Sequence, residues 1–214
     1  MSEISVVIGA TGLVGNLVCH HLTKKENKVI AITRRPMSNL SSNIDNLIVD
    51  FDNFICNGNF PACDHLFLCL GTTIKKAGNK DNFKKIDHDY TIALAEKAKK
   101  AGALNVSLIS SVGADVSSKN FYLSTKGKIE KKIEALDFMS TNIFRPGLLL
   151  GARSEPRFME DIGQKCFILI NFLLMGAFSK YKCVRADLVA KTMVTSRKAQ
   201  GVKYFYYDDF AKRA

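Results

Sequence analysis

Hydrophobic and polar positions follow two rhythms along this chain, and the switches between them mark its elements. Val6-Val7-Ile8 is an unbroken apolar run rich in β-branched residues, which predicts a strand buried on both faces. Asn16-Leu17-Val18-Cys19-His20-His21-Leu22 then reads as a helix. A second strand spans Lys28 to Thr33 and stops at Arg34-Arg35-Pro36, because proline cannot donate to a ladder. A third covers Asn46 to Asp50, with Phe51 just beyond, and a fourth covers Asp64 to Leu70 and runs into Gly71-Thr72-Thr73. From Ile74 to Lys85, five lysines with Gly78 and Asn79 predict a polar loop, able to act as a mobile flap. Asp87 is placed as the N-cap of a helix carrying Tyr90, Ala93, Leu94, Ala98 and Ala101 on one face and closed by Gly102. Asn105 to Ile109 is a fifth strand, ending in Ser110-Ser111. Phe121 to Leu136 is a helix whose buried stripe is Ile129, Ile133 and Leu136. Asn142 to Phe144 is a sixth strand, broken by Arg145-Pro146-Gly147. After Gly151 the pattern loosens, leaving a helix over Arg185 to Arg197 and a last strand over Val202 to Tyr207.

Strands alternating with helices predict an α/β fold: a doubly wound parallel sheet of the Rossmann kind, helices on both faces, joined by right-handed crossovers. With 214 residues and no repeat or long linker, residues 1–214 are expected to form one domain. Within it, about 148–200 would supply a small substrate-side region.

Composition changes this picture only slightly. The six cysteines, at 19, 56, 63, 69, 166 and 183, form no CxxC pair. They read as buried, reduced thiols of a cytosolic protein, with neither a disulfide framework nor a metal site. Met1-Ser2-Glu3 leads straight into a strand without a secretory pattern, so a cytoplasmic location is expected. The apolar run 166–178, interrupted by Asn171, is shorter than the roughly 20 residues a membrane span takes. It reads as a core helix or pocket wall, with a helix lying on a membrane surface as the alternative. The net charge of +11 leans on residues 145–203, which hold 11 Lys/Arg against 4 Asp/Glu. That charge suits an anionic cofactor or substrate, and no nucleic-acid motif accompanies it.

The first strand–helix junction carries the clearest chemistry. Gly9-Ala10-Thr11-Gly12-Leu13-Val14-Gly15 places glycines at intervals of three between strand and helix, the setting of a dinucleotide fingerprint. Gly9 allows a sharp turn, Gly12 lets a pyrophosphate approach the backbone, and Gly15 lets helix and sheet pack closely. The helix N-terminus then offers free N–H groups to the phosphates. About 20 residues on, where NAD-binding folds place an acid for the ribose 2′-hydroxyl, stand Arg34 and Arg35. Two guanidinium groups suit a 2′-phosphate, so NADP is read over NAD. The alternative is that both are solvated loop charges.

Tyr122 and Lys126 lie one turn apart on one helix face, behind Ser111 at the end of the fifth strand. Carbonyl reduction needs a hydride on carbon and a proton on oxygen. A tyrosine can exchange that proton, a nearby ammonium favours the phenolate, and a serine hydroxyl can hold the substrate oxygen.

Together, the glycine loop at 9–15, Cys69-Leu70-Gly71-Thr72-Thr73, Ser110-Ser111-Val112-Gly113-Ala114-Asp115, Tyr122-Leu123-Ser124-Thr125-Lys126-Gly127 and Phe144-Arg145-Pro146-Gly147 carry a likeness. The chain resembles the atypical branch of the short-chain dehydrogenase/reductase superfamily, in its Tat-interacting-protein-like oxidoreductases. The likeness covers about 1–150 well and the remainder loosely. It implies that Gly9, Thr11, Gly12, Leu13, Val14 and Gly15 cradle the pyrophosphate and that Arg34 and Arg35 take the 2′-phosphate. It implies that Asp50 and Phe51 sit at the adenine, and that Leu70, Gly71 and Thr72 run along the cofactor. Ser111 and Tyr122 would act on the substrate, Lys126 would hold the nicotinamide ribose, and Pro146 and Gly147 would border the nicotinamide. The expected activity is an NADPH-dependent oxidoreductase acting on a small carbonyl or enone. The alternative is an NADPH-binding regulatory protein or redox sensor without significant turnover. In either case the partners expected are a small-molecule substrate and a protein partner or a second copy, with no specific nucleic acid.

Overall fold

Val6 and Ile8 face one side of a sheet and Val7 faces the other, and each side has its own apolar core. In the computed structural model, which describes residues 3–24, 28–38, 41–151 and 176–212, the elements run in chain order as follows. First come β1 (Ile4–Ile8), α1 (Leu13–Thr23), β2 (Lys28–Thr33), β3 (Ile44–Ile48), α2 (Phe51–Asn57) and β4 (His65–Leu68). Then come α3 (Ile74–Ala77), α4 (Lys80–Lys84), a π turn (Lys85–Asp89), α5 (Tyr90–Lys100), β5 (Asn105–Ile109), α6 (Phe121–Ala135) and β6 (Ser140–Phe144). The last part holds β7 (Leu149–Leu150), a 3-10 turn (Gly176–Tyr181), β8 (Val184–Arg185), α7 (Ala186–Thr195), β9 (Gly201–Phe205) and α8 (Tyr207–Ala211).

Seven strands form one sheet in the order β3-β2-β1-β4-β5-β6-β9, every neighbouring pair parallel. Residues of α2, α5 and α6 pack on one face with Val6, Ile8, Leu66, Leu68, Val106 and Leu108. Residues of α1, α7 and α8 pack on the other with Val7, Val29, Ala31, Phe67 and Phe144. The expected doubly wound sheet with helices on both faces is therefore observed. Two-sided burial explains why the inner strands read as continuous apolar runs.

The strand order reverses around β1, which pairs with β2 on one side and β4 on the other. Ile8 is level with Ile32 and with Leu68, and Leu68 is level with Leu108. Ile109 is level with Phe144, and Phe144 with Phe205. The segments that leave these residues, at Gly9, Arg34, Cys69, Ser110 and Arg145, thus emerge along one edge of the sheet. In doubly wound folds that edge holds the ligand crevice, at the reversal of strand order.

Several expectations need correction. The third strand lies at Ile44–Ile48, and Asp50 does not close it but caps α2, accepting the Asn53 N–H at 2.9 Å. The polar stretch from Ile74 to Lys85 is not a loop. Thr73 and Asn79 cap two short helices there, each side chain accepting a backbone N–H at the third position along. These residue types were read as loop formers, but they serve equally as caps. Asp87 is no N-cap either: it lies inside the π turn, buried, in a helical run continuing into α5. The sixth strand starts two residues earlier than expected, at Ser140. The last strand ends at Phe205, and Tyr207–Ala211 turns into a short helix. Leu149–Leu150 and Val184–Arg185 pair as a small second sheet where no pattern was read. Cys19 and Cys63 are buried, but Cys56 is exposed. Most of the apolar run 166–178 lies outside the described residues. No helix among the described residues is long and apolar enough to cross a membrane.

Candidate functional site

The first β–α junction is built from backbone alone. Gly9 has φ +83°, a conformation that side chains with a Cβ rarely adopt, and a Cβ there would lie 2.6 Å from the Cys69 carbonyl oxygen. A Cβ on Gly15 would lie 2.3 Å from the Gly9 carbonyl oxygen, so that glycine serves helix–strand packing. Gly12 differs from both. Its backbone is extended, with φ −85° and ψ 167°, and its missing Cβ faces only the Gly9 oxygen at 3.2 Å. A Cβ at Gly71, just beyond β4, would meet nothing within 4 Å, so that glycine borders open space. Helix α1 opens there with no side-chain cap and no acid in its first turn, leaving its N-terminal dipole uncompensated by the chain. Thr11 and Leu13 lie in the loop and first helical residue, and Val14 is buried beneath them.

At the end of β2, Thr33 donates its hydroxyl to the Arg35 carbonyl at 2.8 Å, and the Asn46 amide donates to Thr33 Oγ1 at 2.7 Å. Asn46 Oδ1 accepts the Met37 N–H at 3.0 Å. One side chain of β3 therefore fixes the path of the turn that carries Arg34 and Arg35, both of which are exposed. Phe51 is buried core, edge-on to Tyr90 with ring centroids 5.5 Å apart.

The chemistry-bearing side chains converge on α6. Asn120 caps that helix, accepting the Leu123 N–H at 3.2 Å. A Cβ on Gly127 would lie 2.5 Å from the backbone of Asp115 and Val116, so the glycine after Lys126 lets the β5–α6 loop settle on the helix. Asp115 N–H donates to the Leu123 carbonyl at 3.2 Å in the same contact. Tyr122 is half-buried and stacks obliquely on Phe83, 5.8 Å between centroids, and Lys126 Nζ stands 5.9 Å from the centre of the Tyr122 ring. Lys126 is 5% exposed and donates to Asp87 Oδ1 at 2.8 Å. The other oxygen of Asp87 accepts the Thr72 N–H at 2.8 Å. Burial alone would lower the Lys126 pKa. The charges of Asp87, Tyr122 and Glu130 outweigh it and hold the ammonium above the ordinary lysine value.

The two serines at the end of β5 separate by role. Ser110 is buried and donates to Glu130, whereas Ser111 is half-buried and makes one long contact, 3.3 Å to the Val112 carbonyl. Glu130 also receives the Arg145 guanidinium in a forked pair, its Nε at 2.9 Å. Arg145 donates in addition to Tyr206 Oη at 3.0 Å and lies over the Tyr204 ring. Pro146 accepts the Val112 N–H at 3.0 Å, which ties the ends of β5 and β6 together. A Cβ on Gly147 would fall 2.5 Å from the Lys182 carbonyl oxygen, so this glycine packs against the segment before β8.

Sequence reasoning named Tyr122, Lys126 and Ser111 but missed Asp87, Glu130 and Arg145 as partners of this face. For Glu130 a signal existed: an acid four residues after Lys126 falls on the same helix face. For Asp87 none did, because its reach to Lys126 spans 39 positions and depends on a π turn.

Residues 5–178 match the family described as "NAD dependent epimerase/dehydratase family". The chain is 38% identical over 167 residues to Protein HTATIP2 of Rattus norvegicus, covering 75% of this chain and 69% of that protein. It is 38% identical over 195 residues to "Protein FMP52, mitochondrial" of Debaryomyces hansenii, covering 88% of this chain and 84% of the relative. Among solved structures, a putative NAD-dependent epimerase/dehydratase from Bacillus halodurans superposes with a TM-score of 0.70 at 17% identity, covering 100% of both chains. The human epimerase family protein SDR39U1 (isoform 2), solved with NADPH, has a TM-score of 0.62 at 17% identity, covering 95% of this chain and 74% of that one.

Proposed function

We propose, from the premise that the chain belongs to the NAD dependent epimerase/dehydratase family, that it is an NADPH-dependent oxidoreductase reducing a small carbonyl or enone. The observation that carries this reading is the convergence of Tyr122, buried Lys126 and the open glycine cradle on one edge of the sheet. Open space at Gly71, with Gly12 lacking a side chain at the bare N-terminus of α1, fits a dinucleotide pyrophosphate. Leu13, Val14 and Gly15 carry the helix start that receives it, Thr11 flanks it, and Gly9 shapes the turn. Arg34 and Arg35, exposed at the end of β2, suit a 2′-phosphate. Asp50 and Phe51 are assigned to the adenine side, and Leu70, Gly71 and Thr72 to the wall along the cofactor. Pro146 and Gly147 are assigned to the nicotinamide end.

Bound there, NADPH would supply the hydride. Tyr122 would give its hydroxyl proton to the substrate oxygen, supplying the proton that a two-electron reduction of a carbonyl to an alcohol needs beside the cofactor's hydride. Ser111, whose hydroxyl is only weakly engaged, donates to the same oxygen as charge develops on it. Lys126 offers a fixed positive charge beside the tyrosine ring and a donor to the ribose.

A cytoplasmic location belongs to the same reading. The relative from Debaryomyces hansenii carries the word mitochondrial in its name, so subcellular fractionation of the native protein decides that point.

The test is NADPH consumption with a panel of small aldehydes, ketones and enones, by the wild type and by Tyr122→Phe. The substitution removes one oxygen and keeps the ring against Phe83. Turnover that falls by about 10²–10⁴ with cofactor affinity retained supports the tyrosine as proton donor. NADPH binding without turnover of any carbonyl would replace the enzyme reading with a regulatory one.

A further inference from the structure

Asp87 was read from sequence as a helix cap, and its actual place gives it different work. The buried positions along α4, the π turn and α5 are Phe83, Asp87 and Thr91, spaced by fours, then Leu94, Ala95 and Ala98. Two successive steps of four drift round an α-helix. The wider π turn at 85–89 absorbs part of that drift and keeps Asp87 facing inward. A carboxylate on an otherwise apolar face is costly to bury without partners. It has two. Oδ1 takes the Lys126 ammonium and Oδ2 takes the Thr72 N–H, each at 2.8 Å, and the side chain is fully sheltered from solvent.

The partners come from two different elements, the segment after β4 and helix α6. Thr72 follows β4 in the segment that begins with open Gly71, and Lys126 lies on α6 one turn from Tyr122. The charged and titratable groups facing Lys126 are Asp87 from the π turn and Tyr122 and Glu130 from its own helix. Glu130 is itself occupied by Arg145 and Ser110, which leaves Asp87 as the direct counter-ion. We propose that Asp87 is a positioning residue: its one carboxylate keeps buried Lys126 an ammonium and clamps the β4 wall of the crevice to α6. The inference deepens the oxidoreductase reading and rests on it for its consequence in catalysis. The electrostatic part stands on the fold alone.

The charge state of Lys126 can be read without substrate or cofactor. The protein carries ¹³C-labelled lysine, and the Lys126 Cε resonance is assigned by its loss in Lys126→Met. In the wild type that resonance is expected to stay at its ammonium position up to about pH 10, near the free lysine value. In Asp87→Asn, which keeps size and an acceptor for Thr72, the midpoint is expected to fall by roughly two pH units, about 100-fold in proton affinity, as burial goes uncompensated. An unchanged midpoint in folded Asp87→Asn overturns the proposal. If that variant does not fold, the wild-type titration decides alone, because deprotonation below about pH 9 would show that Asp87 does not hold the charge. A separate NADPH titration of the wild type keeps the two readings apart. Failure to bind NADPH refutes the oxidoreductase while leaving the lysine result standing.

Discussion

Lys126 and Glu130 stand one turn apart on α6, both buried and both ion-paired, yet their surroundings differ in kind. Glu130 receives Ser110 from the end of β5 and two guanidinium nitrogens of Arg145 from the end of β6, and Arg145 is itself held by Tyr206. That carboxylate is filled, and the pair joins one helix to two strand ends. Lys126 has one hydrogen-bond acceptor among the described residues, Asp87, for an ammonium that carries three donors. A saturated buried ion pair holds a fold in one arrangement. Lys126 keeps two donors that no described residue takes, and under the proposed function these would meet the ligand.

The largest effect should come from breaking the saturated pair. Glu130→Ala leaves Arg145 half-buried without its counter-charge, and loss of one partner of such a pair costs about 3–5 kcal/mol. Urea denaturation followed by circular dichroism should show the midpoint falling sharply. A stable, folded Glu130→Ala protein would erase the contrast.

Next in size is Gly12→Val. The backbone of Gly12 is extended and accepts a side chain, and its Cβ would press only on one carbonyl at 3.2 Å. The fold should survive while NADPH binding is abolished, because the new side chain fills the cradle. Retained fluorescence enhancement of NADPH in the folded variant would show that the glycine serves the turn alone.

Smaller still is Arg34→Asp combined with Arg35→Ser. Loss of a hydrogen bond to a charged group costs about 1.5–3 kcal/mol, so NADP affinity should fall roughly 10- to 100-fold while NAD gains. Titration with both dinucleotides measures the shift, and unchanged NADP affinity would make the arginines ordinary solvated charges.

The smallest effect belongs to an ion pair far from the crevice. Glu3 accepts from Arg197 at 2.7 Å; burial raises its pKa, but Arg197 and Lys198 overcome that and hold it below the ordinary 4.5. A carboxylate with a lowered folded-state pKa contributes stability above its unfolded value and loses it as pH falls through the folded one. Glu3→Gln should therefore be slightly less stable than the wild type at pH 7, and the difference should shrink as pH falls through and below the ordinary glutamate range. Thermal melts across pH would show it, and a difference that grows in acid would contradict the pairing.

The sheet was legible because two-sided burial writes continuous apolar runs, as at Val6-Val7-Ile8 and Leu66-Phe67-Leu68. The glycine loop was legible because Gly9 and Gly15 answer local steric demands. Asp50, Thr73 and Asn79 were misread because the residue types that cap helices also build loops. Tyr122 and Lys126 could be paired by helical spacing. Asp87 could not, since its contact with Lys126 is long-range and depends on a π turn that no periodicity announces.

The most direct measurement is calorimetric titration of the intact protein with NADPH and, separately, with NADH. One saturable site for NADPH, with NADH weaker by about 10- to 100-fold, is the predicted result. Saturation by neither dinucleotide, or an equal or tighter site for NADH, would contradict it.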